Sequence, residues 1–244
     1  MFPTCVPAGT RNHFALDLGL DRENVVGGLD AFTDGVERRV DLAKVGDRVF
    51  VNNVSLGVYT RVIQSDEYRD AKTQAALSML PDLFGPDAEP FDLQFVGPDG
   101  QAHLSAHMIL VSNNPYQLTQ IGGHATRARM DSGHLGLVTM RIADPSYVAE
   151  LVALQSAGQI RRFRGWLEWT DSGFIVDSED SIEAGVDGEA VVFEAPLEFT
   201  SMPGALRVRV PHHAPGPSPA AIAAASRLTS NNLRRLWAIA RGGS

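Results

Sequence analysis

The chain has 244 residues, 44% of them hydrophobic and 20% charged, with a formal net charge of −8. This composition suits a folded globular protein with a sizeable core rather than a disordered chain, and an acidic body argues against nucleic acid as the main partner, since phosphate binding needs a basic face. The single cysteine, Cys5, excludes an internal disulfide and a cysteine-based zinc site.

Pro7 and Gly9 predict a loop, followed by a short helix carrying Phe14, Leu16 and Leu18, with Thr10 or Asn12 available to cap it. A second helix is expected over residues 23–33, ending near Gly35. From Arg38 to Val45 the pattern alternates, with Val40, Leu42 and Val45 as apolar positions. Gly46-Asp47 then turns into a strand running from Val49 to Leu56. Helical spacing returns over residues 66–83, where Ala71, Ala75, Leu77, Met79 and Leu80 share one face. Gly97-Pro98-Asp99-Gly100 predicts a hairpin between strands 91–96 and 102–111. A strand over 135–142 and a helix over 145–157 follow, Pro145 suiting the helix's first turn. From Phe163 to Val210 short strands alternate with turns: 166–169, 174–176, 182–186, 190–193, 197–199 and 206–210. Trp166 and Trp169, at odd spacing, are expected on opposite faces of their strand. This pattern predicts a sandwich or barrel-like sheet pair.

Four prolines over residues 211–219 predict a semi-rigid linker. The alanine-rich stretch beyond it, 220–244, is expected to be helical and carries Arg227, Arg234, Arg235 and Arg241 with no acid. Such a basic helix bearing Trp237 could lie on anionic lipid at the inner face of the membrane, or pack against the acidic body. No apolar run is long enough to span a bilayer, and no charged n-region with an apolar h-region opens the chain. A cytoplasmic address is expected, and the Asn53-Val54-Ser55 sequon is expected to stay unmodified. The oligomeric state stays open, a homodimer included.

Two short segments carry chemistry. In Pro7-Ala8-Gly9-Thr10-Arg11-Asn12-His13-Phe14-Ala15, glycine permits a close backbone approach to an anion, Thr10 and Asn12 add donors, and Arg11 can neutralise phosphate charge. A turn capping an ordinary helix would read much the same. In Val186-Asp187-Gly188-Glu189, two carboxylates flank a glycine, so one could accept a hydroxyl proton while the other holds magnesium. A plain Asp-Gly hairpin turn with a solvated glutamate has the same pattern. His103 and His107 have i,i+4 spacing, but in a strand that spacing makes no metal face, and His212-His213 is expected to be solvated.

Together the two segments resemble the diacylglycerol kinase and sphingosine kinase catalytic family, in its G-T-x-N-D-F-A nucleotide loop and its V-D-G-E pair. Three further segments resemble it in the same order: Asn52-Asn53-Val54-Ser55-Leu56-Gly57 its N-x-x-S-x-G strand, Val111-Ser112-Asn113-Asn114-Pro115-Tyr116 its V-x-N-x-x-Y segment, and Asp131-Ser132-Gly133-His134-Leu135 its D-D-G-x-L turn. The resemblance implies an α+β, β-rich fold: an antiparallel β-sandwich domain of a lipid kinase, preceded by a fragment of the α/β nucleotide-binding domain, with the active site in the cleft between the domains. The implied boundaries are 1–36 for the nucleotide-domain remnant, 37–210 for the β-rich second domain, 211–219 for the linker and 220–244 for the basic helix. The implied reaction moves the γ-phosphoryl group of ATP to a lipid hydroxyl, with magnesium as cofactor. Gly9, Thr10, Arg11 and Asn12 would contact nucleotide phosphates, Asp187 would be the general base, and Glu189 would belong to the metal network.

The departures bear on activity. His13 stands where the family often has aspartate, and Ser132 where it commonly has a second one, which weakens the case for a metal at that turn. The family's glycine-rich G-G-D-G-T segment lies upstream of the nucleotide loop and does not occur in these 244 residues. The alternative is a non-catalytic lipid- or partner-binding module that retains the second-domain fold.

Overall fold

The computed structural model describes residues 3–8, 12–21, 23–58, 60, 89–118, 126–212 and 216–225. The helix expected over 66–83 and most of the basic helix over 220–244 lie outside them; residues 219–225 are helical. Contacts divide the chain into two units, one of residues 1–38, 126–130 and 207–244, the other of residues 39–125 and 131–206.

The strands, in chain order, are β1 (Gly35–Val45), β2 (Arg48–Phe50), β3 (Asn53–Gly57), β4 (Phe95–Val96), β5 (Ala102–His103), β6 (Met108–Asn113), β7 (Tyr116–Gln117), β8 (Thr126–Arg127), β9 (Leu135–Met140), β10 (Trp166–Asp171), β11 (Gly173–Val176), β12 (Ile182–Val186), β13 (Glu189–Phe193) and β14 (Leu197–Pro211). The helices among the described residues include α1 (His13–Asp17), α2 (Val25–Leu29) and α3 (Val148–Ser156).

The larger unit is a strand-rich antiparallel sandwich. One sheet has the order β11-β14-β1-β2 and the other β10-β9-β6-β3-β12-β13. The core lies between them: Ala43, Val45, Phe50, Phe174, Val176, Leu197 and Phe199 of the first sheet meet Val54, Leu56, Ile109, Val111, Leu135, Leu137, Ile182 and Ala184 of the second. The outer face of the six-stranded sheet is also covered. Met108, Leu110, Val138 and Met140 there pack with Leu151 of α3 and with Ile160 and Phe163. β6 therefore has apolar side chains on both faces, as a central strand with two covered faces requires, whereas β3 turns only Val54 and Leu56 to the inner core and carries Ser55 and Gly57 on its other phase. Trp166 joins this outer cluster while Trp169 packs on the inner core, so the odd spacing does place them on opposite faces.

The structure corrects four sequence expectations. The run from Val49 to Leu56 is two strands, because the chain leaves one sheet after Phe50 and enters the other at Asn53. The strand over 102–111 is likewise two, with β4–β5 a small hairpin and β6 paired to β3 and β9. Residues 197–210 form one long strand rather than two; Gly204, at φ 61°, lets it run on past Pro203. In β1 the buried phase is Asp41, Ala43 and Val45, and Leu42 is only half-buried, because a carboxylate that finds two backbone donors can face the core.

The smaller unit holds α1, α2 and a parallel bridge between Thr4 and Arg209, where the Cys5 N–H donates to the Arg209 carbonyl and the Arg209 N–H to that of Pro3. Its buried anchor is an ion pair. Arg127 Nε stands 2.7 Å from Asp17 Oδ2, both side chains fully buried, and the Arg127 N–H donates to Asp17 Oδ1 at 2.8 Å. Burial pushes the Asp17 carboxyl up, opposed by the Arg127 charge. No helix among the described residues is long and apolar enough to cross a membrane.

Candidate functional site

The segment Val186-Asp187-Gly188-Glu189 is the tip of the β12–β13 hairpin, where Val186 pairs with Glu189 across a two-residue turn. Asp187 has φ 49° and Gly188 φ 94°. Positive φ at both central positions gives the mirror-image turn whose twist matches the flanking strands. The backbone is thus an Asp-Gly hairpin, but the aspartate side chain is not simply solvated. Asp187 Oδ1 accepts the N–H groups of Asn52 at 2.7 Å and Asn53 at 3.1 Å, and Oδ2 accepts that of Val51 at 2.8 Å. The Asp187 N–H donates to the Asn53 carbonyl at 2.9 Å. A carboxylate offers about four acceptor positions, so these three donors leave one on Oδ2 for a further hydroxyl.

Glu189 has a different partner. Its Oε2 lies 2.5 Å from Nη2 of Arg48 on β2, and both side chains are exposed, at 74% and 43%. The two acids of the motif therefore do not share a partner: one holds a loop and the other an arginine.

The other resembling segments meet at the same end of the sandwich. Asn113, fully buried at the end of β6, donates from Nδ2 to the carbonyls of Asp41 at 2.9 Å and Val51 at 3.0 Å. Asn114, at φ 68°, accepts on Oδ1 the backbone N–H of Ser132 at 2.8 Å and its hydroxyl at 2.6 Å. Asp41 accepts the N–H of Gly133 at 2.7 Å and of Gly204 at 2.8 Å. Asn53 Nδ2 donates to the Tyr116 hydroxyl at 3.4 Å. Nothing in the sequence marks Asp41, an acid inside an alternating strand. The available signal is its place in a strand whose apolar phase is imperfect.

Ser55, in the middle of β3, is fully buried, and its carbonyl accepts the Thr60 hydroxyl at 2.7 Å. It fixes the strand internally and presents no reactive group. A recess of about 220 Å³ on the six-stranded sheet is lined by Leu110, Ser112, Tyr116, Gly136 and the Arg161–Glu168 ion pair.

Gly9, Thr10 and Arg11 lie outside the described residues. Asn12 precedes α1 at φ 47°, and its side chain does not cap the helix; Nδ2 donates to the Pro7 carbonyl at 3.1 Å. Asn12 thus braces the loop it belongs to. Among the described residues no group of three or more His, Cys, Asp or Glu could hold a metal ion. His103 stacks on Phe95, and His107 Nδ1 accepts the Ile142 N–H at 3.2 Å, so neither is arranged as a ligand pair. The Asp187 oxygens face N–H donors, an arrangement unsuited to a cation. Of the two acids in this motif it is Glu189 whose carboxylate points outward, to Arg48, and magnesium commonly takes one or two protein carboxylates alongside phosphate oxygens.

No protein-family model matches the chain. A "Diacylglycerol kinase" of Bacillus subtilis (strain 168) is 25% identical over 155 residues, 60% of this chain and 48% of that protein. A "Probable lipid kinase YegS-like" of Chromohalobacter salexigens is 26% identical, over 84% of this chain and 66% of its own length. The chain thus spans about half to two thirds of the length of the curated relatives it matches. Among solved structures, a protein of Bacillus anthracis str. Sterne named as a candidate diacylglycerol kinase has TM-score 0.63 at 19% identity, covering 86% of this chain and 69% of that one. A further diacylglycerol kinase structure from that organism has TM-score 0.54 at 15% identity, covering 86% and 66%. At these identities the structures speak for the fold, the strand-rich antiparallel architecture of a lipid kinase second domain. Sequence relatives and structural neighbours agree, and what this chain is similar to, in sequence and in fold, is the diacylglycerol kinase-like lipid kinases.

Proposed function

We propose that this chain carries the acceptor-side half of an ATP-dependent lipid kinase, moving the γ-phosphoryl group of ATP to the hydroxyl of diacylglycerol or a related lipid. The observation that carries the reading is the placement of Asp187: an exposed carboxylate at a hairpin tip, its oxygens aimed by three backbone N–H groups, with one acceptor position left. Phosphoryl transfer leaves the protein little covalent chemistry beyond positioning and charge, so a fixed proton acceptor suits it. Asp187 accepts the proton of the lipid hydroxyl. Gly9, Thr10, Arg11 and Asn12 contact nucleotide phosphates. Glu189 would hold magnesium, whose chemistry there would be to neutralise phosphate charge, and Arg48, its present partner, would then be free to face phosphate oxygens. The names of the relatives support a lipid acceptor, and the basic tail supports peripheral contact with the cytoplasmic membrane face.

The test is ATP- and magnesium-dependent phosphorylation of diacylglycerol, ceramide-like and sphingoid acceptors in mixed micelles. Labelled phospholipid from any of them supports the reading; no labelled product from all three defeats it. A second reading, a lipid-binding module without transfer, is favoured by the Arg48–Glu189 pair, which occupies the Glu189 carboxylate. Vesicle sedimentation separates the two: binding without product points to the module.

A further inference from the structure

We infer that Asn113 is a positioning residue for Asp187, acting through the two peptide groups between Val51 and Asn53. This rests on the reading of Asp187 as the proton acceptor. The carbonyl of Val51 accepts Asn113 Nδ2 at 3.0 Å, and the N–H on the other side of that same peptide, belonging to Asn52, donates to Asp187 Oδ1 at 2.7 Å. The next peptide repeats the pattern. The carbonyl of Asn52 accepts the Asn113 backbone N–H at 2.9 Å, and the N–H of Asn53 donates to the same Asp187 oxygen at 3.1 Å.

A peptide group is planar and trans, so its C=O and N–H point in opposite directions. Holding two carbonyls on the buried side therefore aims two N–H groups outward, at one carboxylate oxygen. Asn113 is suited to this by chemistry and by its own restraint. Its amide nitrogen faces two carbonyls, the second being that of Asp41 at 2.9 Å, so only a donor with two hydrogens satisfies the position. Its amide oxygen accepts from Asn114 Nδ2 at 3.3 Å, which sets the orientation of the amide plane. Asn114 is in turn held by Ser132, and Asp41 by Gly133 and Gly204. The three segments that gave the function no reacting group thus form a scaffold centred on the buried Asn113 and Asn114, and the N–H groups it turns outward fix the Asp187 carboxylate. Substituting leucine or aspartate at 113 would remove both side-chain donors, the one to the Asp41 carbonyl and the one to the Val51 carbonyl.

The experiment is amide hydrogen exchange and ¹⁵N-¹H spectra of the full chain, for wild type, Asn113→Ala and Asp187→Ala, with phosphorylation of diacylglycerol measured on the same samples. Asn113→Ala should speed exchange at Asn52 and Asn53 by about tenfold, while Ile109 and Leu110 on the same strand keep their protection. Asp187→Ala, at an exposed turn, should shift the side-chain NH₂ resonances of Asn113 in return, since coupling is reciprocal. In the active protein Asn113→Ala should lower kcat at unchanged KM for ATP. Unchanged exchange at Asn52 and Asn53, or an Asn113 amide unmoved by Asp187→Ala, would overturn the inference. If Asn113→Ala fails to fold, the Asp187→Ala spectrum decides alone. A wild type without kinase activity would defeat the functional reading, while the exchange data still decide whether Asn113 positions Asp187.

Discussion

The Asp187 carboxylate and the Asn52 amide, 135 residues apart in sequence, are joined by a 2.7 Å hydrogen bond. That bond links the tip of the β12–β13 hairpin to the crossing point where the chain passes from one sheet to the other. The hairpin turn and the sheet crossing are therefore one structural unit. Asp187→Ala should lower unfolding free energy by about 1 kcal/mol, because three exposed, charge-assisted bonds are lost but water replaces them. Gly188→Ala should cost a similar amount, about 1 kcal/mol, through its φ of 94° alone, since a Cβ there meets nothing within 4 Å. Urea titration of both variants checks this.

Asp17→Ala should be far more damaging. It leaves the fully buried Arg127 guanidinium without its carboxylate, and breaking a buried pair by removing one partner costs about 3–5 kcal/mol. The thermal unfolding midpoint should fall sharply. A change of a degree or two would mean that the pair adds little.

Gly136→Ala should destabilise by about 1–3 kcal/mol, the range for overpacking. A Cβ at 136 would come 2.5 Å from the Pro115 Cα and from the Ser112 hydroxyl, and the proline backbone cannot retreat without disturbing the Asn113–Asn114 turn. Denaturant midpoints for this variant, with Gly133→Ala as a roomier but strained comparison, measure the effect.

Hydrogen bonds from Ser146, the side chain foremost and then the backbone N–H at 2.8 Å, hold the Asp144 carboxyl below the usual carboxylate range. A carboxyl depressed in the folded state contributes stability above its unfolded pKa and loses it as pH falls through the folded value. The short helical turn Pro145–Tyr147 that leads into α3, which Asp144 caps, should therefore loosen as pH drops below about 4. Asp144→Asn should lose that pH dependence. Amide exchange at Ser146 and Tyr147 between pH 6 and pH 3 reads it directly; identical pH profiles for wild type and variant would contradict it.

Much of the sandwich is legible in the sequence because period-2 burial is written locally. β12 is read with its bounds intact, and the opposite facing of Trp166 and Trp169 follows from parity alone. The sheet crossing at Val51–Asn52 is not legible, because what ends the strand there is a carboxylate that arrives from residue 187. The same holds for Asp41. Its burial depends on donors from Gly133 and Gly204, which no local pattern announces. The motifs Asn113-Asn114 and Asp131-Ser132-Gly133 are visible as segments, but their joining into one network is a property of the fold.

The central claim is that Asp187 takes the proton of a lipid hydroxyl during phosphoryl transfer from ATP. Initial rates of diacylglycerol phosphorylation by wild type and Asp187→Asn, matched for folded protein by circular dichroism, test it most directly. The expected result is measurable transfer by wild type and a loss of at least about 10²-fold in the variant, the usual range for a removed general base. Equal rates in the two proteins would contradict the account.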